Sequence, residues 1–509
     1  MITAIYDCRS KQEYIYRTNK IREIAGASKL LSSVYSILIH ETGIRICDTW
    51  REDTIQKRPF RKEEFLENGY DGTVIYEGGG SLYVLFKDRE TYVRANRVFS
   101  RILLERSYSI SLITAFVETT DDFNQDRINL YKAEERSKKL GVHSSFCNVL
   151  PFTQTDRMSY MPLSAIDNKG KKVTEVYQHP FFRFAQQYRG LYKYKGKISQ
   201  RYKNIYFYQF QKSTENLDSL VEEKSVDSIL AVIYIDGNDM GNKIKNCIEG
   251  KNDYAECVMA LREFSLHTDE YFVTRPIAAI EKYLRAKNDA ESELISEKPH
   301  KAHKYRIIVG GGDEITIICR GSDAMGVVKA YFDELASTPE LAAGILNTSC
   351  AGIALFHSHA PFADVYEIAE SCCEMGKKES HKPDNNGNYV DFHYCHSGIT
   401  NELDIIRKEQ ESAFTFRPYS LNMFEEFMRI GYILHTIGRS NVKSLGESIV
   451  RGNSYYRFDV QRICSRLSEN QSEFLALLEK YMGKEDQLKR MIYDISIVYD
   501  LWFRGDDNV

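Results

Sequence analysis

No apolar run in this chain reaches the length needed to cross a bilayer, and its opening residues, MITAIYDCRSKQEY, lack the basic-then-apolar order of a signal peptide. Neither a membrane anchor nor secretion is expected. An excess of one charge is also missing. The formal net charge is only -4, which argues against a generic nucleic-acid coat or a strongly cationic membrane binder but leaves room for a local basic groove. The 11 cysteines show no repeated CxxC spacing, and Cys372 and Cys373 are adjacent, too close for a relaxed disulfide. A reducing, cytoplasmic setting is expected. The Gly-x4-Gly-Lys-Ser/Thr pattern is absent, so any phosphate site is not a P-loop.

With 509 residues, two to four domains are expected. TAIYD (3–7) reads as a strand, followed by a helical stretch to about residue 41. TVIYEGGGSLYVLF (73–86) reads as a glycine hairpin, followed by a helix, the strand YSISLITAFVET and a polar helix over 125–141. Residues 141–225 are irregular. Within them, YRGLYKYKGKISQRYKNIYFYQF (188–210) interleaves tyrosines and bases, a surface strand or a nucleic-acid contact. ILAVIYID (229–236) is the clearest buried strand. Helical periodicity over 255–287 is interrupted near Pro276. KYRIIVGGGDEITIICR (304–320) reads as a second hairpin, followed by a helix (322–336), a strand (350–357) and a helix (362–378) ending in Lys377 and Lys378; the rest is mainly helical.

The pattern repeats. AIYD ends at Asp7 and IYID at Asp236; each is followed by a triple-glycine hairpin, a helix, a strand and a helix. The expected fold is α+β: two ferredoxin-like domains, 1–140 and 226–398, bridged by 141–225, with a helical domain at 399–509. After its triple glycine the first copy reads Ser81-Leu82 and the second Asp313-Glu314. Adjacent strands would bring Asp236 and Asp313 together, two hard carboxylates suited to Mg²⁺ or Mn²⁺ and a phosphate. The Gly237 carbonyl can join them, and Glu314 can face the same site or support it. Asp239 in DGNDMG either ligates or caps backbone amides. Lys377, with Lys378 as the fallback, either neutralises a triphosphate or meets the helix dipole. His393, Cys395 and His396 form a strand-end cluster, structural or zinc-binding.

RTNKIREIAGASKLL, EGGGSLYVLF, YIDGNDMGNKI and VGGGDEITII together resemble the large, palm-domain subunit of type III CRISPR effector complexes. In that family two palms face each other, and the second, with a GGDD motif, makes cyclic oligoadenylates from ATP. The resemblance implies metal ligation by Asp236, Gly237 and Asp313, catalysis by Asp236, Asp313 and Glu314, and nucleotide contacts from Gly311, Gly312 and Lys377. Gly78, Gly79 and Gly80 resemble the degenerate turn of the first palm, an opposite wall for a two-ATP pocket. Glu314 departs from the family's second aspartate, and Gly376 from the alanine before the related cyclase lysine. The HD nuclease of many members is not matched, so DNA cleavage is not expected. The zinc insertion is also unmatched, Cys147 being at most its remnant. The implied function is cyclic oligonucleotide synthesis in antiviral defence, with regulatory RNA or effector-complex subunits as partners. A cyclic dinucleotide synthase, a template-independent polymerase and a non-catalytic palm scaffold are the alternatives.

Overall fold

The computed structural model describes residues 1–16, 24, 27–28, 31–106, 110–140, 165–166, 172–173, 217–221, 228–294, 305–339, 347–383, 385–395, 403–408, 413–466 and 472–503. The first palm runs β1 (Ile2–Arg9), α1 (Lys11–Ile15), α2 (Val34–Glu41), β2 (Ile46–Cys47), β3 (Gly72–Gly78), β4 (Ser81–Phe86), α3 (Arg89–Arg106), β5 (Ser111–Glu118) and α4 (Phe123–Lys139). The second opens with β6 (Ile229–Gly237), α5 (Met240–Ile248) and α6 (Tyr254–Thr268), which passes through a wide π-helical turn, Asp269–Thr274, into α7 (Arg275–Leu294). It continues with β7 (Tyr305–Gly311), β8 (Glu314–Arg320), α8 (Ala324–Ala336), β9 (Ser349–His357), α9 (Phe362–Ser380) and β10 (Tyr389–Tyr394). The expected interruption at Pro276 is this wide turn. Proline has no N–H for an i→i−4 bond, and the helix is loosened just before it rather than broken.

The sheets are ordered β2-β3-β4-β1-β5 and, with the short strand β11 (Tyr419–Ser420), β11-β10-β9-β6-β8-β7. In each, the first strand of the unit lies antiparallel between the second hairpin strand and the strand that follows. This is the ferredoxin-like order, present twice. Asp7 pairs with Ser81, the first residue of β4. Ile235 pairs with Ile315, which puts Asp236 beside Glu314, the first residue of β8. The two aspartates therefore occupy the same topological position.

β6 is apolar along its length because both faces are covered. Ala231, Ile233 and Ile235 join a core shared with α7, α8 and a C-terminal helical bundle, α10 (Leu421–His435), α11 (Arg439–Arg451), α12 (Asn453–Cys464), α13 (Ser472–Lys480) and α14 (Glu485–Trp502). Leu230, Val232 and Tyr234 join another core under α9. The bundle is fixed to the palm by a fully buried Arg417–Asp494 pair at 3.0 Å and by the Trp502 indole, which donates to the Gly321 carbonyl at 2.9 Å. The second sheet extends to Ser420, past residue 398.

The palms clasp each other. Ile15 and Tyr16, at the end of α1, belong to the core under α9; Tyr16 stacks on Tyr366 with ring centres 3.7 Å apart. In return, α6 supplies Tyr254, Cys257, Val258 and Leu261 to the core of the first palm. Strand β2 pairs only with the start of β3, so the rest of that edge needs other donors. Buried Arg262 of α6 donates to the Ile75 carbonyl at 2.6 Å and the Val74 carbonyl at 3.1 Å, and Ser265 Oγ donates to the Glu77 carbonyl. Replacing Arg262 with Ala leaves the Ile75 and Val74 carbonyls without this donor and should cost about 3 kcal/mol, read as a lower urea midpoint. An unchanged midpoint would show that this clasp adds no stability.

Candidate nucleotidyl-transfer site

The site forms where β6 ends against the β7–β8 turn. Gly312 has a left-handed φ of 68°, while Asp313 does not, the II′ pattern of a two-residue hairpin loop. In the first palm both Gly79 (φ 59°) and Gly80 (φ 74°) are left-handed, the I′ pattern. Gly78 pairs with Ser81 and Gly311 with Glu314. The counterpart of Asp313 is therefore Gly80, and that of Glu314 is Ser81. Matching the two triple glycines as strings sets the repeats one residue out of register.

Asp313 arches over Gly237. A β-carbon at Gly237 would lie 2.9 Å from Asp313 Oδ2, so glycine here opens the approach to Asp236, with which Asp313 shares a side-chain hydrogen bond. Burial first, then the Asp236 charge and that hydrogen bond, hold the Asp313 carboxyl well above the usual carboxylate range. Glu314 is pushed up to about 8 by burial, then by Asp236, Asp313 and Glu370, with Lys11 opposing. Glu370 of α9 accepts from Gln12 Nε2 of the first palm at 2.7 Å, so α1 reaches the acid cluster directly.

Helix α9 lies tight on β9 because residue 352 is glycine: a β-carbon there would meet the Ala369 carbonyl oxygen at 2.0 Å. That approach carries Lys377, the sixteenth residue of α9, to Asp236, with Nζ 2.5 Å from Oδ2. Burial alone would lower the lysine's pKa, but the Asp236 carboxylate outweighs it and raises it. The first palm repeats the device. Lys138, the sixteenth residue of α4, lies 3.3 Å from Asp7 Oδ2 and 2.6 Å from Glu134.

Three residues after each aspartate the chain takes a left-handed conformation, at Ser10 (φ 47°) and Asp239 (φ 58°), and a helix begins. The next residues differ. Lys11 reaches back to Asp7 Oδ1 at 3.2 Å and to the Gly80 carbonyl at 3.1 Å; its counterpart is Met240. Asp7 thus sits between two lysines. Asp236 has one lysine and two additional acids.

Other predicted residues scatter more widely. Gly311 is exposed, and Gly78 packs beside Ser265. Asp239 accepts from Asn242 Nδ2 at 2.7 Å and makes no side-chain cap. Lys378 is exposed and lies 3.4 Å from Asp404 rather than at the acids. His393 and Cys395 are half-buried at the end of β10; His396, Cys147 and the 188–210 segment lie outside the described residues. Among the described residues no group of three or more His, Cys, Asp or Glu side chains could hold a metal ion, and no helix is long and apolar enough to cross a membrane. The sequence reading missed Lys138, Glu370 and Lys243, the last a half-buried lysine of α5 considered below. Lys138 had a signal: FNQDRINLYKAEERSKK and FADVYEIAESCCEMGKK place their paired lysines at the same distance from the leading phenylalanine.

Residues 229–386 match the family model described as Cas10/Cmr2, second palm domain. The Csm1–Csm4 cassette in complex with pppApApA is similar over 98% of this chain and 68% of that chain, at 13% identity and a TM-score of 0.51. The chain has a two-palm, Cas10/Csm1-like architecture. It matches that of the type III CRISPR effector large-subunit family, as the sequence resemblance implied. The cassette in complex with cA4 is 15% identical with a TM-score of 0.48, and the chain covers 64% of its length, with 98% of this chain matched. No curated protein matches the chain.

The raised Glu314 pKa has a stability signature. Between about 4.5, the ordinary glutamate value, and about 8 the folded state keeps a proton that the unfolded state has lost. Stability without added metal should therefore fall as pH rises through this window, by up to ~1.4 kcal/mol per unit. Glu314→Gln should flatten the slope in pH-resolved urea melts; an unchanged slope would assign it to other groups.

Proposed function

We propose that the chain is a metal-dependent nucleotidyltransferase that joins adenine nucleotides and closes them into cyclic oligonucleotides for antiviral signalling. One observation carries this reading: Asp236 and Asp313 converge at a strand end with a single paired lysine, where the first palm holds its lone aspartate between two. The donors are hard oxygens, and two carboxylates held this close are a charge arrangement that a divalent cation relieves. The residues therefore fit Mg²⁺ or Mn²⁺, which commonly takes one or two carboxylates and completes its shell with phosphate and water. Asp236 and Asp313 would hold it, with the Gly237 carbonyl assisting. When bound, it would lower the pKa of the attacking hydroxyl and offset charge on the α-phosphate and the departing pyrophosphate.

The remaining work falls to the chain. Lys377, already facing Asp236, meets triphosphate oxygens as a point charge. A nucleotide 3′ oxygen bonds to the α-phosphorus of a second NTP, the α–β phosphoanhydride bond breaks, pyrophosphate leaves, and the hydroxyl proton passes to solvent. Repetition followed by internal attack closes the ring. Adenine is carried over from the family resemblance and from the cassette bound to pppApApA. A partner subunit like the Csm4 of that cassette, and a regulatory RNA, are carried over in the same way. A second reading, a non-catalytic palm scaffold, draws on Lys377 already neutralising Asp236 and on Glu314 standing where the family has aspartate.

Purified protein incubated with individual NTPs and Mg²⁺ or Mn²⁺, read by mass spectrometry and pyrophosphate release, separates the two. Asp236→Ala and Asp313→Ala should each lower turnover roughly a hundredfold or more while remaining folded, and EDTA should abolish it. Lys377→Ala should raise the KM for NTP about tenfold. Met240→Lys recreates the first palm's second lysine and should raise the Mg²⁺ concentration needed for half-maximal rate. Full pyrophosphate release by both alanine variants would refute the mechanism; a wild type that binds ATP yet forms no phosphodiester with RNA or protein partners present is the scaffold.

A further inference from the structure

Lys243 lies in the second turn of α5, which starts from the left-handed Asp239 and so returns over the end of β6. Its side chain is half-buried. Nζ lies 3.4 Å from Thr348 Oγ1 and 5.7 Å from the centre of the Phe272 ring. Among the described residues no carboxylate is within salt-bridge distance of it. Asp239, the acid nearest in sequence, accepts from Asn242 Nδ2 at its Oδ1. Asp313 acts on Lys243 through its charge alone. Burial outweighs both acids and lowers the lysine to about 8.

This differs from every other lysine around the two aspartates. Lys377 has Asp236; Lys11 has Asp7; Lys138 has Asp7 and Glu134. A half-buried ammonium without a carboxylate partner is costly, and this one stands within reach of the Asp313 charge, beside Asp236. An anion arriving with its own divalent cation satisfies both groups together. Thr348 Oγ1 adds a hydroxyl able to donate to the same anion. Phe272 and the Met240 side chain, the latter close to Gly237, wall the approach with apolar surface that strengthens a charge-assisted bond.

We propose that Lys243 is a phosphate-contacting residue, taking a non-bridging oxygen of the nucleotide's polyphosphate on the Asp313 side of the site while Lys377 takes one on the Asp236 side. The proposal rests on the nucleotidyltransferase reading, and names the second cation of that site. The sequence hides it: in DGNDMGNKIKN the lysine looks like any solvated residue of a polar helix.

The test is calorimetric titration of the full chain with ATP, AMP, adenosine and inorganic tripolyphosphate in Mg²⁺, using wild type, Lys243→Met and Lys243→Arg. Lys243→Met keeps the apolar stem and removes the charge. It should weaken ATP and tripolyphosphate about tenfold or more and leave adenosine unchanged, so that the ATP-to-adenosine preference shrinks. Lys243→Arg should recover much of the loss. In steady state the Met variant should raise the KM for ATP more than it lowers kcat. Equal ATP and tripolyphosphate affinities for wild type and Lys243→Met would overturn the proposal and leave the enzymatic reading intact. Tripolyphosphate binding lost in the Met variant, in a protein that makes no phosphodiester, would keep the anion site and sink the enzymatic reading. A wild type that binds neither ATP nor tripolyphosphate would overturn both.

Discussion

A carboxylate at the end of a doubly covered strand cannot stay ionised without a counter-charge, and the neighbourhood of Asp236 is organised around supplying one. The strand must be apolar to fill the cores on its two faces, so the acid can sit only at the end. The helix that follows β9 must then press closely enough for its sixteenth residue to reach that end. Gly352 permits the approach, since even one methyl group would collide with the Ala369 carbonyl. Gly237 similarly makes room for Asp313. Two glycines, by having no side chain, thus determine the spacing of the charged groups.

The reciprocal clasp makes the site a property of both palms. Helix α1 leaves the strand end that carries Asp7, and one side of it answers Asp7 and Gly80 through Lys11 while Gln12 answers Glu370. Helix α6 closes the unpaired edge of β3 from the other direction. Moving one palm relative to the other would break carbonyl pairings that are costly to lose when buried. The acid cluster is therefore held by packing that spans the domain boundary, which suits a reaction requiring two nucleotides at fixed separation.

What the sequence disclosed follows the range of the interactions involved. The apolar run before Asp236, the glycine hairpins and their recurrence are local patterns, and they were enough to place the sheets and pair Asp7 with Asp236. The register of the repeat was misread because matching letters aligns glycines, whereas the backbone aligns turn positions; I′ and II′ loops of equal length carry their glycines differently. Arg262 was invisible as a clasp because its partners are carbonyls almost two hundred residues away. Lys243 was missed because a lysine without a carboxylate partner is recognisable only by what is absent around it. Lys378 shows the opposite failure: adjacent to Lys377 in sequence, it points to Asp404 and the exterior, since neighbours on a helix do not share a face.

The asymmetry between the palms is built into the backbone and not only into the side chains. An aspartate at position 80 would be the direct counterpart of Asp313, but Gly80 has a φ of 74°, where a side chain is strained. Its β-carbon would fall 2.1 Å from Lys11 Nζ, so the lysine would have to leave Asp7 and the Gly80 carbonyl. Removing Lys11 alone gives no acid in return, because the other position beside Asp7 is Ser81. A metal-ready first palm thus needs a changed turn type, a displaced lysine and a new acid together, and no single substitution supplies all three. The second palm meets all three conditions at once, with a II′ turn at Gly312-Asp313, Met240 in place of Lys11, and Glu314 in place of Ser81. The positive charge that Lys11 supplies to the first palm is the one that, in the proposed mechanism, a divalent cation would bring to the second.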